Sequence, residues 1–373
     1  MLGQIVPTEV YHLGPKQVSC TSSPRRHVFH TFFVPGNPGS LFYYLPWLQA
    51  THDILVAAAN QAFGANQIDV FVHGFSHANH HFSQHGENTS PCIYGLEFQV
   101  EHAFSFVQTV LGSLMPSASK DARTTNSEKV MLSFIGHSIG AYIVLDMLDR
   151  FPPLVKLTLS CSLLMPFITW TTLPALHRWK LAALSLIPKI THLLARRMVA
   201  MLQNISLARR RALIASALKD EMDADCVEAT ATRLFTHRLI ANFLCMGLDE
   251  IQTVPLNEHR MLAIITRLSA QLHIHALYTN DDLWAPETDM HRLRELGPYV
   301  ATAFVPHVRH AFTMQRETYE PVNKALSLWF ANALQGFALT CARGADRTNF
   351  SAIDEATSSV VQLKVKNTFQ SKM

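Results

Sequence analysis

Short apolar runs alternate with longer stretches whose apolar residues recur every three or four positions. The runs "HVFHTFFV" (27–34), "IDVFVHG" (68–74), "VMLSFIG" (130–136), "VKLTLSC" (155–161), "LHIHALY" (272–278) and "ATAFVP" (301–306) are rich in β-branched and aromatic residues and predict strands. Several are almost continuously apolar, the pattern of a strand covered on both faces. Between them, "YYLPWLQATHDILVAAAN", "GLEFQVEHAFSFVQTVL" and "IGAYIVLDMLDRF" have helical spacing, and the last stops at Pro152-Pro153. Strand and helix in alternation predict a mostly parallel sheet with helices on both faces.

The alternation lapses after about residue 162 and resumes near 272, which predicts a helical insertion in an α/β framework. We place one α/β domain at 1–340, interrupted by a lid at 163–255, and a polar, aperiodic tail at 341–373. At 373 residues with 48% apolar and 16% charged residues, the chain can bury a sizeable core and leave apolar surface over. The net charge of +3 gives no argument for nucleic acid, and no phosphate-binding loop or repeat points to one.

That net charge hides a segregation. From Arg150 to Lys219 there are eleven basic residues and no acidic one, so this segment carries +11 and the rest −8. The same segment holds Phe167, Trp170, Trp179, Leu181, Leu184, Leu186 and Ile187, and an apolar stripe runs from Ile190 through Leu193, Leu194, Met198, Met201 and Leu202 to Ile205, interrupted by Arg197. Basic and apolar residues interleaved in this way predict helices that lie on a lipid surface; a lid packed on the core would need no membrane. Residues 157–176 carry no charge, but Pro166, Pro174 and the strand expected there argue against a span.

The six cysteines are scattered without a C-x-x-C pair, which fits reduced thiols in a cytosolic setting. "MLGQIVPTEVYHLG" lacks the charged and apolar regions of a signal peptide, so the N-x-S/T sites at Asn88, Asn204 and Asn349 are not expected to be glycosylated. "HGFSHANHHFSQH" gathers His73, His77, His80, His81 and His85, with no Asp or Cys among them; no metal and no cofactor are read from it.

The chemistry centres on "VMLSFIGHSIGAYIVLDML". Gly136, Ser138 and Gly140, with His137 beside the serine, form a G-x-S-x-G sequence between a buried strand and an amphipathic helix, the setting of a nucleophile elbow. A serine hydroxyl needs a base, and the base an orienting carboxylate, in the chain order Ser, acid, His. "LHIHALYTNDDLWAP" offers Asp281 and Asp282, and "ATAFVPHVRHAF" offers His307 and His310; spacing leaves both choices open. An oxyanion hole would use the Ile139 N–H and a donor from "FFVPGNPGSLFYY". Pro35 and Pro38 have no N–H, so Gly36, Asn37, Gly39 or Ser40 must supply it, and Asn37 is favoured by main chain or side chain.

Taken together, "VPGNPGSLFYYLPWL", "GFSHANH", "LEFQVEH", "GHSIGAYI", "YTNDDLWAP" and "HAF" resemble the lipid droplet-associated hydrolase family, in order from about residue 28 to 315. The resemblance implies an α/β-hydrolase fold and a serine lipase or esterase acting on sterol esters or acylglycerols at a lipid droplet or endoplasmic reticulum membrane, on the cytosolic side. It also implies that the acid is Asp282, of D-x-W-x-P, and that the base is His310, before Ala-Phe. The chain departs from the family pattern at Thr279, where a glycine is usual, and in its lid. A scaffold on the droplet surface with little turnover, or a transacylase, would use the same frame.

Overall fold

The structure is a computed structural model, and it describes residues 8–15, 27–65, 67–80, 94–114, 129–185, 197, 200–201, 203–218, 222–234, 237–296 and 300–342. Seven strands make one sheet: β1 (Val10–Leu13), β2 (His27–Val34), β3 (Ile68–Phe75), β4 (Lys129–His137), β5 (Thr158–Leu164), β6 (His273–Tyr278) and β7 (Val300–Phe304). Their spatial order is β1-β3-β2-β4-β5-β6-β7. All neighbours are parallel except β1 and β3. The helices whose bounds lie among the described residues include α1 (Leu45–Phe63), α2 (Leu96–Leu114), α3 (Ile139–Arg150), α4 (Pro152–Leu157), α5 (Ala175–Ser185), α6 (Leu207–Leu218), α7 (Ala224–Ala229), α8 (His237–Ser269), α9 (Glu287–Arg294) and α10 (Tyr319–Ala342).

The order explains the layering. From β2 the chain steps through α1 to β3 on one side, then returns through α2 to β4 on the other side of β2 and continues outward to β7. Right-handed crossovers in opposite directions put α1 on one face and α2, α3 and α8 on the other. The packing agrees: α1 lies against α10, whereas α2, α3 and α8 lie against one another. The reversal between β2 and β4 makes the loops after these two strands diverge at the carboxyl edge, where open α/β sheets bind ligands.

Phe29, Phe32, Phe33, Met131, Phe134, Ile135, Leu163 and Tyr278 are fully buried between the layers. An ion-pair cluster holds one helical layer together: Asp146 of α3 is 1% exposed and pairs with Arg150 and with Arg260 of α8, while Arg150 also reaches Glu97 of α2.

Two strand expectations change. Residues 155–157 are helical and β5 begins at Thr158, because Pro152 and Pro153 occupy the first helical positions, where a missing N–H is no loss, and seed α4. The short antiparallel edge strand β1 has too few apolar positions to stand out in the sequence.

Helices α5 to α8 fill the stretch between β5 and β6, where the lid was expected. The limit of 255 falls inside α8, which runs on through Pro255 to Ser269 and buries Val254, Met261, Ile264, Ile265 and Leu268 in the main core. The helical insertion thus ends in a helix that belongs to the core.

Its apolar residues divide in two. Phe167 and Leu181 are buried, and Phe167 meets Trp284 edge-on, so neither faces solvent as a lipid-docking residue would. Trp179 (76% exposed), Leu176, Met201 and Leu213 project outward. The basic surplus is also partly spent, since Arg150 pairs with Glu97 and Asp146, and Arg211 with Glu228.

Among the described residues no helix is long and apolar enough to cross a membrane. His81, His85, the sites at Asn88 and Asn349, Leu186, Ile187, Lys189, Ile190, Leu193, Leu194, Arg196, Met198, Leu202, Lys219 and the tail beyond 342 lie outside the described residues, as does the side chain of Leu184.

Candidate active site

Ser138 stands between the end of β4 and the first residue of α3 with φ 54° and ψ −124°, a backbone conformation that L residues rarely adopt. Surrounding structure holds it there: its N–H bonds to Leu164 O (2.9 Å), and its carbonyl accepts from Phe167 N (3.1 Å) and Ala141 N (3.0 Å). The flanking glycines are a steric requirement. A Cβ on Gly136 would come within 2.6 Å of Gly140 O, and one on Gly140 within 2.6 Å of Pro35 O. The β2 loop passes so close that a Cβ on Gly36 would lie 2.9 Å from that of Ser138.

His310 Nε2 lies 2.8 Å from Ser138 Oγ, and His310 Nδ1 lies 2.7 Å from Asp282 Oδ2. Asp282 Oδ1 accepts from Trp284 N (2.8 Å) and Ala285 N (3.0 Å). Burial works to raise the carboxyl's pKa, but the hydrogen bonds from His310, Trp284 and Ala285 outweigh it and hold Asp282 below its ordinary value. With a carboxylate accepting at Nδ1, the neutral imidazole carries its proton there, and Nε2 is the acceptor that faces the serine hydroxyl.

Asp281 and His307 are exposed and shape the loops instead. Asn280 joins them, donating to Asp281 Oδ2 (2.6 Å) and accepting from His307 N (2.6 Å). Thr279, the departure from the family pattern, has a use: its hydroxyl donates to Val308 O and so fastens the loop after β6 to the loop that carries His310.

The loop between Pro35 and Pro38 has few free donors. Gly36 N–H bonds to Tyr44 Oη (3.3 Å) and Gly39 N–H to Gly36 O (2.6 Å). The Asn37 side chain turns toward α8, donating to Phe243 O (2.9 Å) and bonding with the buried Glu250. If Asn37 serves an oxyanion, it does so through its main-chain N–H. Ile139 N–H opens α3, where first-turn amides have no acceptor within the helix.

Of the histidines gathered in "HGFSHANHHFSQH", His73, His77 and His80 lie among the described residues. His73 Nδ1 lies 2.8 Å from His12 Nδ1, and its Nε2 lies 2.8 Å from His30 Nδ1. The turn after β3 clamps the loop beside the serine: His77 N–H donates to Gly39 O (2.9 Å), His80 Nδ1 bonds Pro38 O, and Ser40 Oγ donates to His80 O (2.8 Å). Sequence reasoning missed this clamp, although a polar turn directly after a buried strand was there to be seen.

A family model described as "Lipid-droplet associated hydrolase" matches residues 27–313, most of the chain. The chain belongs to this family. It is similar to the lipid droplet-associated hydrolase of Homo sapiens, 30% identical over 152 residues, or 39% of this chain and 41% of that protein. It is also similar to that of Gallus gallus, 33% identical over 152 residues, or 38% and 39%. The match thus spans about two fifths of the length of these curated relatives.

Among solved structures, BpoC of Mycobacterium tuberculosis H37Rv superposes with a TM-score of 0.51 at 15% identity, covering 88% of this chain and 97% of that one. A carboxylesterase of the thaumarchaeon Nitrososphaera gargenis also gives 0.51, at 14% identity and with 86% and 95% covered. At such identity the likeness speaks to the fold alone, and the fold of this family member is that of the α/β-hydrolases.

Proposed function

We propose that this family member is a serine hydrolase of lipid esters, of the sterol ester or acylglycerol class, working at a lipid droplet or on the cytosolic face of the endoplasmic reticulum membrane. The observation that carries this reading is the hydrogen-bonded chain from Ser138 through His310 to Asp282, set on a strained elbow.

In this scheme Ser138 Oγ attacks the ester carbonyl carbon while His310 Nε2 takes the hydroxyl proton. Asp282 keeps the imidazole in the required tautomer and stabilises the imidazolium. The main-chain N–H groups of Asn37 and Ile139 stabilise the tetrahedral oxyanion. Collapse breaks the bond to the leaving oxygen, which receives the proton from His310 and departs as the alcohol. Water, deprotonated by His310, then attacks the acyl-enzyme; the carboxylic acid leaves and Ser138 regains its proton.

The droplet or membrane surface is supported by Leu176, Trp179 and Leu213, exposed on α5 and α6 among basic residues. The same face would suit a surface scaffold with little turnover, and catalysis separates the two. A fluorophosphonate probe should label the wild-type chain and leave Ser138→Ala unlabelled, with ester hydrolysis lost in parallel. Unlabelled wild type, or labelled Ser138→Ala, would overturn the assignment.

A further inference from the structure

His137 stands inside the elbow sequence, and its ring makes contacts that the G-x-S-x-G pattern does not require. It is 4% exposed, and Phe312 packs edge-on against it (5.3 Å between centroids), with Trp47 edge-on to Phe312 in turn. Its Nδ1 lies 2.8 Å from Tyr44 Oη, and its Nε2 lies 2.8 Å from the main-chain oxygen of His310. Tyr44 Oη also receives Gly36 N–H at 3.3 Å.

The directions of these bonds are fixed at both ends. His310 O can only accept, so His137 Nε2 must carry the proton. Nδ1 is then an acceptor and takes the Tyr44 hydroxyl proton. The Tyr44 oxygen is left to accept from Gly36, whose N–H can only donate. One continuous chain therefore runs Gly36 N–H to Tyr44 O–H to His137, and from His137 N–H to His310 O. It requires a neutral imidazole, and burial holds the His137 pKa far down, at about 3.

What the chain connects is the loop after β2, whose Asn37 N–H is an oxyanion donor in the proposed scheme, and the main chain of the residue proposed as the base. These two groups belong to segments more than 270 residues apart in sequence. They must hold their separation while Ser138 moves between hydroxyl, acyl-enzyme and hydroxyl again.

We propose that His137 and Tyr44 are positioning residues that set the distance between the oxyanion loop and His310. The inference rests on the reading of Ser138 as nucleophile. Neither side chain touches substrate in this scheme; each acts through Gly36 and His310.

The test uses the full chain, a soluble short-chain p-nitrophenyl ester and a fluorophosphonate probe, with the labelling rate measured separately from the labelled fraction at completion. Wild type is measured first; if it does not label at Ser138, the hydrolase reading fails and this inference falls with it. Given labelled wild type, Tyr44→Phe removes one oxygen and keeps the ring. It should lower kcat and the labelling rate about 10- to 100-fold, in keeping with the cost of misplacing a reacting group by an ångström or less. KM should stay within about twofold and the final labelled fraction should stay full. His137→Gln, which keeps a donor for His310 O, should retain more of the rate than His137→Phe, which has none. A part with a purely structural role would lower the melting temperature and the labelled fraction but leave the rate per labelled serine unchanged. Unchanged rates per site in Tyr44→Phe would therefore overturn the inference while leaving Ser138 as nucleophile.

Discussion

Replacing Asp282 by asparagine probes the site most sharply, because the change is isosteric and its effect can be worked out from three hydrogen bonds. One carboxylate oxygen accepts from Trp284 N and Ala285 N, and the other accepts from His310 Nδ1. An asparagine has one acceptor oxygen. Turned toward the two backbone amides, that oxygen preserves two bonds and leaves the NH2 facing His310. Turned toward His310, it sets the NH2 against two N–H donors. The first arrangement wins by about one buried hydrogen bond plus the penalty of an unpaired donor, on the order of 2–4 kcal/mol. His310 must then accept at Nδ1 and carry its proton on Nε2, where it meets Ser138 Oγ as a donor and cannot take the hydroxyl proton. Adding the lost stabilisation of the imidazolium, kcat should fall about 10³- to 10⁴-fold, or about 4–5.5 kcal/mol at 1.36 kcal/mol per tenfold. KM for a soluble ester should hold, and the fold should lose no more than about 1–2 kcal/mol. The assay is steady-state hydrolysis with fluorophosphonate labelling rates on the same preparation. A loss below tenfold, with the protein folded, would refute the role given to Asp282 and the tautomer argument with it.

Other outcomes can be checked independently. Burial lowers the pKa of His30 to about 4 and that of His73 to about 3, from 6.5. Below pH 6.5 the unfolded chain takes up protons that the folded one refuses, so their stabilising contribution, full above 6.5, should drain away toward pH 3–4; urea titrations at pH 7.5 and 5 should show it, and His73→Phe should flatten the difference. Thr279→Val should cost about 1–2 kcal/mol in the same titrations and slow hydrolysis several-fold, since it leaves Val308 O without its buried donor beside His310. Leu176→Ser with Trp179→Ser should weaken flotation with neutral oil droplets at any salt. Lys180→Gln with Arg209→Gln should weaken binding to anionic vesicles chiefly at low salt, where charges act beyond about 8 Å. Phe167→Ser should behave differently, losing about 3–5 kcal/mol of stability because that ring is buried against Trp284.

The periodic pattern of apolar residues determined by itself that strands and helices alternate, because a strand covered on both faces must be apolar throughout and a covering helix must be apolar along one stripe. It also determined that Ser138 stands where a strand passes into a helix. The glycines at 136 and 140 were legible for the same local reason, as only residues without a Cβ fit such a turn. Sequence spacing left Asp281 against Asp282 and His307 against His310 undecided, and the family resemblance pointed to Asp282 and His310. In the tertiary structure His310 meets Ser138 and Asp282 meets His310, whereas Asp281 and His307 are exposed and tied to Asn280, contacts that only the folded loops create. The shift of β5 by three residues, the pairing of Arg150 with Glu97 and of Arg211 with Glu228, and the burial of Phe167 were equally invisible along the chain. Composition counts charges and apolar groups, but only packing decides which of them meet a partner. The chain of bonds from Gly36 through Tyr44 and His137 to His310 belongs to that second category, for its members come from three segments that only the reversal of strand order at β2 and β4 and the return from β7 bring together.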